Sequence, residues 1–267
     1  MMDSTSAFPA GTVVGKDDIV IGGIKFNINY SADMFSMEST SSSFVLPKTP
    51  EMVTSYYQLG QTSKIENIID IGIFKGGSAV LFHELFKPRK LLALDISTKR
   101  EPALDAYIAA RSASETLRPF YECDQGDSAH LQELARGQFG PVPLDLVVDD
   151  ASHSYRLTRV SFNSLFPYLR PGGFYVIEDW GWAHWKGWPH LPADYQEKGA
   201  LFPQEPALTN LIFELIMTAA SSPGLIAKVS VTFNMAVVEK GPEAVDPSSF
   251  DLGNYHVARS FKWQPIL

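Results

Sequence analysis

The chain has 267 residues, of which 45% are hydrophobic and 19% charged, values that suit a globular protein with a sizeable core and exclude a disordered one. The net charge of −8 argues against a nucleic-acid partner, because phosphates are held mainly by clustered Lys and Arg. The single cysteine excludes an intrachain disulfide and fits a reducing compartment. With no secretion signal and no apolar run of roughly 20 residues, we expect a cytoplasmic protein that binds a small molecule.

The N-terminal part of the chain gives the weakest structural signals. Residues 1–45 are rich in Ser, Thr, Gly and Met, and we expect a partly ordered arm that could serve as an oligomer contact or a lid element. One alternating run predicts a small hairpin that turns at Gly22-Gly23. Residues 49–59 then predict a helix, with Pro50 in its first turn and Gly60 as its stop.

From residue 65 onward, short apolar runs alternate with helical patterns, which is typical of a parallel sheet built from βα units. The predicted strands are 65–71, 90–96, 117–122, 144–149 and 173–178, and the predicted helices are 78–86, 102–112, 128–135, 158–169 and 207–220. Two last runs, 225–232 and 235–239, are so close that they must form an antiparallel hairpin. We therefore predict one Rossmann-like α/β domain over 46–267, with a doubly wound, seven-stranded and mostly parallel sheet.

The first βα unit contains a glycine-containing loop, Asp70-Ile-Gly-Ile-Phe-Lys-Gly-Gly-Ser78, that could let a ligand approach the backbone at a helix start. Its spacing differs from the dinucleotide pattern G-x-G-x-x-G, which disfavours a nicotinamide oxidoreductase. The second strand ends at Asp95, where an acid can bind ribose hydroxyls or simply cap a helix. After the third strand, Asp124 and Gln125 could contact an adenine edge or form a turn.

Two later strands end in acids. One stops at Asp149-Asp150 and is followed three residues later by His153, and the other stops at Glu178-Asp179. Since ligands of open parallel sheets bind outside the carboxyl ends of the strands, these side chains should meet at one crevice. Because side chains alternate along a strand, one of the two aspartates must point away; we take Asp150 as the one facing the crevice.

A tryptophan-rich segment follows the second acid pair and predicts an aromatic lid over a bound small molecule. The alternatives are an oligomer interface and a patch buried under the N-terminal arm. His184 and His190 lie in this segment and could act as a base or shape the pocket. The predicted lid residues are Trp180, Trp182, His184, Trp185 and Trp188.

Together these motifs resemble those of class I S-adenosylmethionine-dependent methyltransferases. The resemblance is greatest to the metal-dependent branch that contains macrolide-sugar O-methyltransferases and the proteins called cephalosporin hydroxylase. It covers roughly residues 65–185, and it rests on the order and spacing of the glycine loop, Asp95, Asp124-Gln125, Asp149-Asp150-Ala-Ser-His153, Ser161-Phe162, Leu165-Phe166-Pro167, Pro171-Gly172-Gly173 and Ile177-Glu178-Asp179-Trp180.

The resemblance implies methyl transfer from S-adenosylmethionine to a hydroxyl of a small, natural-product acceptor by a homo-oligomer. A magnesium ion, or another divalent cation, would be held by Asp150, Glu178 and Asp179, and His153 would be the general base. The implied cofactor contacts are Asp70, Gly72, Lys75, Gly76, Ser78, Asp95, Ile96, Asp124, Gln125 and Asp149. Two alternatives stay open at this point: an N- or C-methyltransferase, and a cofactor-binding accessory protein of a biosynthetic oxygenase.

Overall fold

The computed structural model describes residues 8–28, 32–185, 206–257 and 259. The N-terminal strands form a small sheet in the order β1-β2-β3-β4. Strands β2 and β3 pair antiparallel across Gly22-Gly23, as the alternating run predicts, and β4 then joins β3 in parallel. The four strands are β1 (Val13–Val14), β2 (Asp18–Ile21), β3 (Ile24–Ile28) and β4 (Ser43–Leu46).

Among the described residues, seven strands form the main sheet in the order β10-β11-β9-β8-β5-β6-β7. Strands β5 to β9 run parallel, and β10 and β11 form the predicted antiparallel hairpin at one edge. The strands are β5 (Asn67–Ile71), β6 (Lys90–Leu94), β7 (Leu117–Phe120), β8 (Leu144–Asp149), β9 (Leu169–Glu178), β10 (Ile226–Val231) and β11 (Met235–Lys240). This confirms the predicted fold class.

Helices cover both faces of the main sheet, so that it has an apolar core on each side. The first core contains side chains of α1 (Pro50–Thr62), α2 (Gly77–Phe86), α3 (Pro102–Arg111) and the N-terminal sheet. The second core contains side chains of α4 (Ser128–Phe139), α5 (Tyr155–Leu165) and α6 (Thr209–Ser221). No helix in the described part of the chain is both long and apolar enough to cross a membrane.

Alternation along the strands decides which side chains face which core. In β8, Leu146 and Val148 belong to the first core, whereas Val147 belongs to the second. The same alternation holds in β9, where Val176 faces the first core and Ile177 the second. Residues at the carboxyl ends of these strands therefore take opposite sides of the sheet, and this separates neighbouring acids in the site described below.

Several predicted helix ends are wrong. Helix α4 continues past residue 135 to Phe139, where Gly140 caps it. Helix α1 does not stop at Gly60 but continues to Thr62, because this glycine lets the helix approach α2: a Cβ at Gly60 would lie 3.0 Å from the ring of Phe86. Helix α5 begins at Tyr155 and ends at Leu165, where a short 3₁₀ turn containing Pro167 replaces the predicted continuation to residue 169.

Candidate functional site at the carboxyl edge of the sheet

The glycine loop after β5 lies directly against the loop after β8. Gly72 has φ of +111°, and a Cβ at this position would lie 2.2 Å from the carbonyl oxygen of Asp150. The amide of Asp150 in turn donates to the carbonyl of Ile71 at 3.0 Å. Only glycine allows this close approach, so the loop sequence positions the acid-bearing turn as well as the space beside it.

A cavity of about 430 Å³ opens beside these two loops, between the carboxyl ends of β5, β6, β7 and β8. Its size and mixed apolar and polar wall are those of a small-molecule site. Five of the ten predicted cofactor contacts line it, namely Gly72, Asp95, Ile96, Asp124 and Gln125, and Asp150 lines it too. Sequence reasoning missed several other lining residues, including Tyr121, Cys123 and Leu157.

Asp95 serves the loop and the cavity together. One carboxylate oxygen accepts hydrogen bonds from the amides of Ile73 (2.9 Å) and Phe74 (3.2 Å), and the other accepts from the amide of Ser97 at 2.8 Å. A carboxylate has about four acceptor positions, so one is left for a ligand in the cavity. The remaining position is compatible with the predicted ribose contact. The alternative of helix capping is not met, because the N-caps of α2 and α3 are Gly76 and Glu101.

The other predicted cofactor contacts do not line the cavity. Asp70 is buried and accepts a hydrogen bond from the hydroxyl of Ser78 at 2.7 Å, and burial raises the pKa of its carboxyl to about 7. Gly76 is the N-cap of α2, with φ of +79°. Lys75 lies 3.4 Å from the carboxylate of Glu38 in an ion pair. These residues shape the loop and the start of α2 around the site.

Asp149 faces the second core, on the opposite side from Asp150. Its carboxylate accepts hydrogen bonds from the amide nitrogen of Gln125 (2.6 and 2.8 Å), from the hydroxyl of Tyr175 (3.0 Å) and from Ser161. Burial raises the pKa of Asp149 to about 6, although these donors lower it. The carbonyl oxygen of the Gln125 side chain accepts from the amide of Ser152 at 3.3 Å, so this buried network also supports the loop that carries His153.

Asp150, His153 and Asp179 form the group of side chains suited to a metal ion among the described residues. One ligand atom from each lies within 4.8 Å of the other two, and all three residues are partly accessible. His153 and Asp179 have φ of +51° and +50°, an uncommon backbone conformation outside glycine that often marks a functional position. The site thus combines two carboxylates with an imidazole, as the strand-end pattern predicts.

Glu178, the third predicted metal ligand, lies outside that group and bonds to two residues that sequence reasoning missed. Its carboxylate accepts a hydrogen bond from the hydroxyl of Tyr56 and lies 2.5 Å from the ammonium nitrogen of Lys48. The same ammonium lies 2.8 Å from a carboxylate oxygen of Asp150. The partners are separated by 122, 130 and 102 residues of sequence, so no local pattern could have revealed them.

The charges of Lys48, Asp150 and Glu178 change one another's pKa values. Lys48 is fully buried; burial alone lowers its pKa, but the carboxylates of Asp150 and Glu178 outweigh that effect and raise it above the ordinary value. Burial and the nearby charge of Asp150 raise the pKa of Glu178. Burial and Glu178 likewise raise the pKa of the Tyr56 hydroxyl.

The first part of the predicted aromatic lid lies against the site. The indole nitrogen of Trp182 donates to the carbonyl of His153 at 3.1 Å, and that of Trp180 donates to the carbonyl of Thr232 at 2.9 Å. Trp185 stacks on Phe233 with ring centroids 5.0 Å apart, and His184 lies in a short 3₁₀ turn. Trp188 and His190 lie outside the described residues.

A parallel sheet ending in an antiparallel hairpin, with a glycine loop and a strand-end acid beside a cavity, defines the class I methyltransferase fold. Residues 69–180 match a methyltransferase domain family. The solved structure of the Podospora anserina methyltransferase PaMTH1 has the same fold at 16% identity, with a TM-score of 0.52 over 72% of this chain and 79% of that one. The described part of the chain therefore has the fold of class I methyltransferases, as the sequence resemblance predicts.

Within this class the chain is similar to macrolide-sugar O-methyltransferases, which confirms the narrower resemblance. It is 33% identical to the mycinamicin VI 2''-O-methyltransferase of Micromonospora griseorubida, over 65% of this chain and 43% of that protein. It is 32% identical to the demethylmacrocin O-methyltransferase of Streptomyces fradiae, over 65% and 44%. The solved MycE methyltransferase in complex with Mg, SAH and mycinamycin VI matches at 30% identity and a TM-score of 0.52, over 70% of this chain and 48% of MycE.

The chain spans less than half the length of these curated relatives. The glycine loop, the strand-end acids and His153 all lie within the matched methyltransferase domain.

Proposed function

We propose that this protein is an S-adenosylmethionine-dependent O-methyltransferase that methylates a hydroxyl of a small natural-product acceptor with the help of a divalent cation. The observation that carries the proposal is that the cofactor-sized cavity and the acidic group share Asp150. A methyl donor in the cavity and an oxygen acceptor at the acids would then meet at one carboxyl edge of the sheet. Such proximity is the main requirement for a transfer between two bound molecules.

Each residue that lines the cavity would contact the part of the cofactor that lies beside its strand-end loop. Asp95 has one acceptor position for a ribose hydroxyl, and Asp124 lies on the third strand-end loop, where an adenine would be contacted. The amide of Gln125 is already bonded to Asp149 and Ser152, so we assign it to support of the cavity wall. We assign the same kind of role to Asp70, Lys75, Gly76, Ser78 and Asp149, which act behind the wall.

The acidic group fits a hard divalent cation. Carboxylate oxygens with space for water or acceptor oxygens are the donor set that magnesium prefers, and among the described residues the group contains no cysteine. Asp150 and Asp179 would hold the ion, with Glu178 behind them. When bound, such an ion lowers the pKa of a coordinated hydroxyl.

His153 would accept the proton of the acceptor hydroxyl. An imidazole nitrogen can accept a proton as a general base, and the Trp182 indole bonds to the carbonyl of His153 and so holds the backbone that carries the ring. As the hydroxyl oxygen forms its bond to the methyl carbon, the carbon–sulfur bond breaks and both electrons go to sulfur. The products are the methyl ether, S-adenosylhomocysteine and a proton on His153.

The acceptor class is proposed from the relatives and from the aromatic segment. The curated relatives named above are O-methyltransferases of macrolide compounds, and flat indole rings suit a sugar or a polycyclic scaffold. Trp182 bonds to the backbone of His153, and Trp180 directly follows Asp179, which supports the prediction that this segment forms a wall of an acceptor pocket. Glycosylated hydroxyl-bearing natural products are therefore the first acceptors to screen.

The proposal is tested by titrating S-adenosylhomocysteine into the protein with and without Mg²⁺, followed by methyl-transfer assays on hydroxylated acceptors. Asp150→Asn and Asp179→Asn should abolish Mg²⁺ dependence and activity, and the exposed control Glu115→Gln should leave both unchanged. Failure of S-adenosylhomocysteine to bind under any of these conditions would refute the methyltransferase assignment and favour an accessory role. Binding with methylation only of nitrogen or carbon acceptors would refute the O-methyl assignment.

Other expectations from the sequence stay predictions. They are a domain boundary near residue 45, a homo-oligomer, a cytoplasmic location and the absence of a nucleic-acid partner. Light scattering after size-exclusion chromatography tests the oligomer. The negative charge of the chain supports the last expectation.

A further inference from the structure

Lys48 introduces a positive charge into the centre of the acidic group. Its ammonium lies 2.8 Å from Asp150 and 2.5 Å from Glu178, and its side chain has no exposed surface. The strand-end pattern that predicts the site contains only acids and a histidine, so this charge belongs to neither the predicted ligand set nor the proposed proton transfer. Its function needs a separate explanation.

The position of Lys48 is determined by its backbone rather than by the acids alone. The residue lies between β4 and α1, where its amide donates to the carbonyl of Leu46 at 2.8 Å and the following residue, Thr49, caps the helix by accepting from the amide of Met52 at 3.3 Å. The side chain is therefore anchored at both sides of its Cα in folded elements. It has no short route to solvent, and its charge must stay among the carboxylates.

The bonds of Lys48 divide the three predicted metal ligands. Both oxygens of Glu178 are already engaged, one by Lys48 and the other by Tyr56. Asp150 is shared, because it bonds to Lys48 and also belongs to the group with His153 and Asp179. A divalent cation at that group would thus bind a carboxylate that a resident ammonium has already neutralised in part.

We propose that Lys48 is a built-in counter-cation that competes with the divalent ion for Asp150 and so keeps the affinity of the site for the ion low. Without an ion, the ammonium prevents repulsion among the buried carboxylates and keeps the site assembled. With an ion, the two like charges share one low-dielectric region, where their repulsion is weakly screened. The ion would then bind reversibly and be held fully only when acceptor oxygens complete its coordination.

This inference rests on the proposed function, since it assumes a divalent ion at the acidic group. Its test is the Mg²⁺ and Mn²⁺ affinity of Lys48→Met, measured without cofactor or acceptor by calorimetry and by the electron paramagnetic resonance signal of free Mn²⁺. Methionine keeps most of the stem and removes the charge. We expect the dissociation constant to fall at least about tenfold, a difference of about 1.4 kcal/mol. The ion-free variant should melt at a lower temperature and gain more from added Mg²⁺ than the wild type.

Two controls separate local charge from other effects. Lys64→Met removes one positive charge from a side chain that is 81% exposed and should leave the ion affinity unchanged. Tyr56→Phe removes the other bond to Glu178 without changing charge and should alter the affinity by less than about threefold, a difference of roughly 0.6 kcal/mol.

If Lys48→Met does not fold, the charge-balanced pair provides the same comparison. Lys48→Met/Glu178→Gln removes one charge of each sign, and it should bind the ion more tightly than Glu178→Gln alone. Equal or weaker binding in the variants that lack Lys48 overturns the inference and makes the lysine a positioning residue for the ligands. Absence of ion binding in every protein also overturns it, whereas binding of S-adenosylhomocysteine still decides the methyltransferase proposal separately.

Discussion

Gly72→Ala tests the contact between the glycine loop and the acid-bearing turn. A methyl group at this position would lie 2.2 Å from the Asp150 carbonyl oxygen, whereas ordinary contact begins at 3.4 Å, so one backbone must move by roughly 1.2 Å. The backbone of residue 72, with φ of +111°, is also unfavourable for alanine. This conformation costs about 1–3 kcal/mol, and loss of the Asp150 amide bond to Ile71 adds about 1 kcal/mol.

The expected result is a free energy of unfolding about 2–4 kcal/mol lower than that of the wild type, measured by urea denaturation. In the folded variant the displaced turn carries Asp150 away from the cavity, and a shift of about 1 Å at a reacting group costs roughly 100-fold in rate. Affinity for S-adenosylhomocysteine, measured by calorimetry, should fall at least about tenfold, which corresponds to about 1.4 kcal/mol.

Gly137→Ala is the matched control. Gly137 lies within α4, and a Cβ there would have no atom within 4 Å, so alanine should stabilise the protein by about 0.5–1 kcal/mol without changing ligand affinity. Wild-type stability and affinity in Gly72→Ala would refute the reasoning, because the close approach of the two loops could not then be present. Equal loss in both variants would also refute it, since the effect would not be specific to the loop.

Three further predictions concern pH, a buried hydrogen bond and the base. The folded state raises the Asp70 pKa from 3.8 to about 7, so its contribution to stability is complete below about pH 3.8 and is lost as pH rises through about 7. At 1.36 kcal/mol for each pKa unit, the free energy of unfolding of Asp70→Asn should rise relative to that of the wild type by up to about 4 kcal/mol between about pH 4 and pH 8. Urea denaturation measures this difference, and a difference that does not change with pH would contradict the prediction. Tyr175→Phe removes a donor 3.0 Å from Asp149 and should cost about 1–3 kcal/mol in the same assay, and no loss would mean that the bond is unimportant. Trp182→Phe removes the donor to the His153 carbonyl and should lower kcat about tenfold while leaving S-adenosylhomocysteine affinity intact; an unchanged kcat would exclude this support of the base.

Local patterns were sufficient for the sheet and for the strand-end acids. The alternation of apolar runs and helical periods predicted five parallel strands and the terminal hairpin, and the structure confirms both. The acidic site could be predicted because each acid pair stands at the end of a buried strand, and strand ends at one edge of a sheet lie near one another. The hairpin at Gly22-Gly23 was visible for a similar reason, since turn chemistry and alternation are properties of adjacent residues.

Local patterns were insufficient where packing decides. Glycine commonly ends a helix, but Gly60 lies inside α1 because the Phe86 ring of α2 packs closely against it. The choice between Asp149 and Asp150 needed the direction of β8 relative to the two cores, which the structure provides. The cavity itself also depends on the distances among four loops.

The class of fold and most of the candidate groups at the carboxyl edge could therefore be predicted from the sequence, because periodicity, turns and strand ends are local. The bonds of Lys48 and Tyr56, which precede the matched domain, to Glu178 are visible only in three dimensions, as is the position of Asp150 between an ammonium and a metal-type group. These contacts join residues more than 100 positions apart. Their energies come from burial and charge in three dimensions, which no sequence spacing encodes.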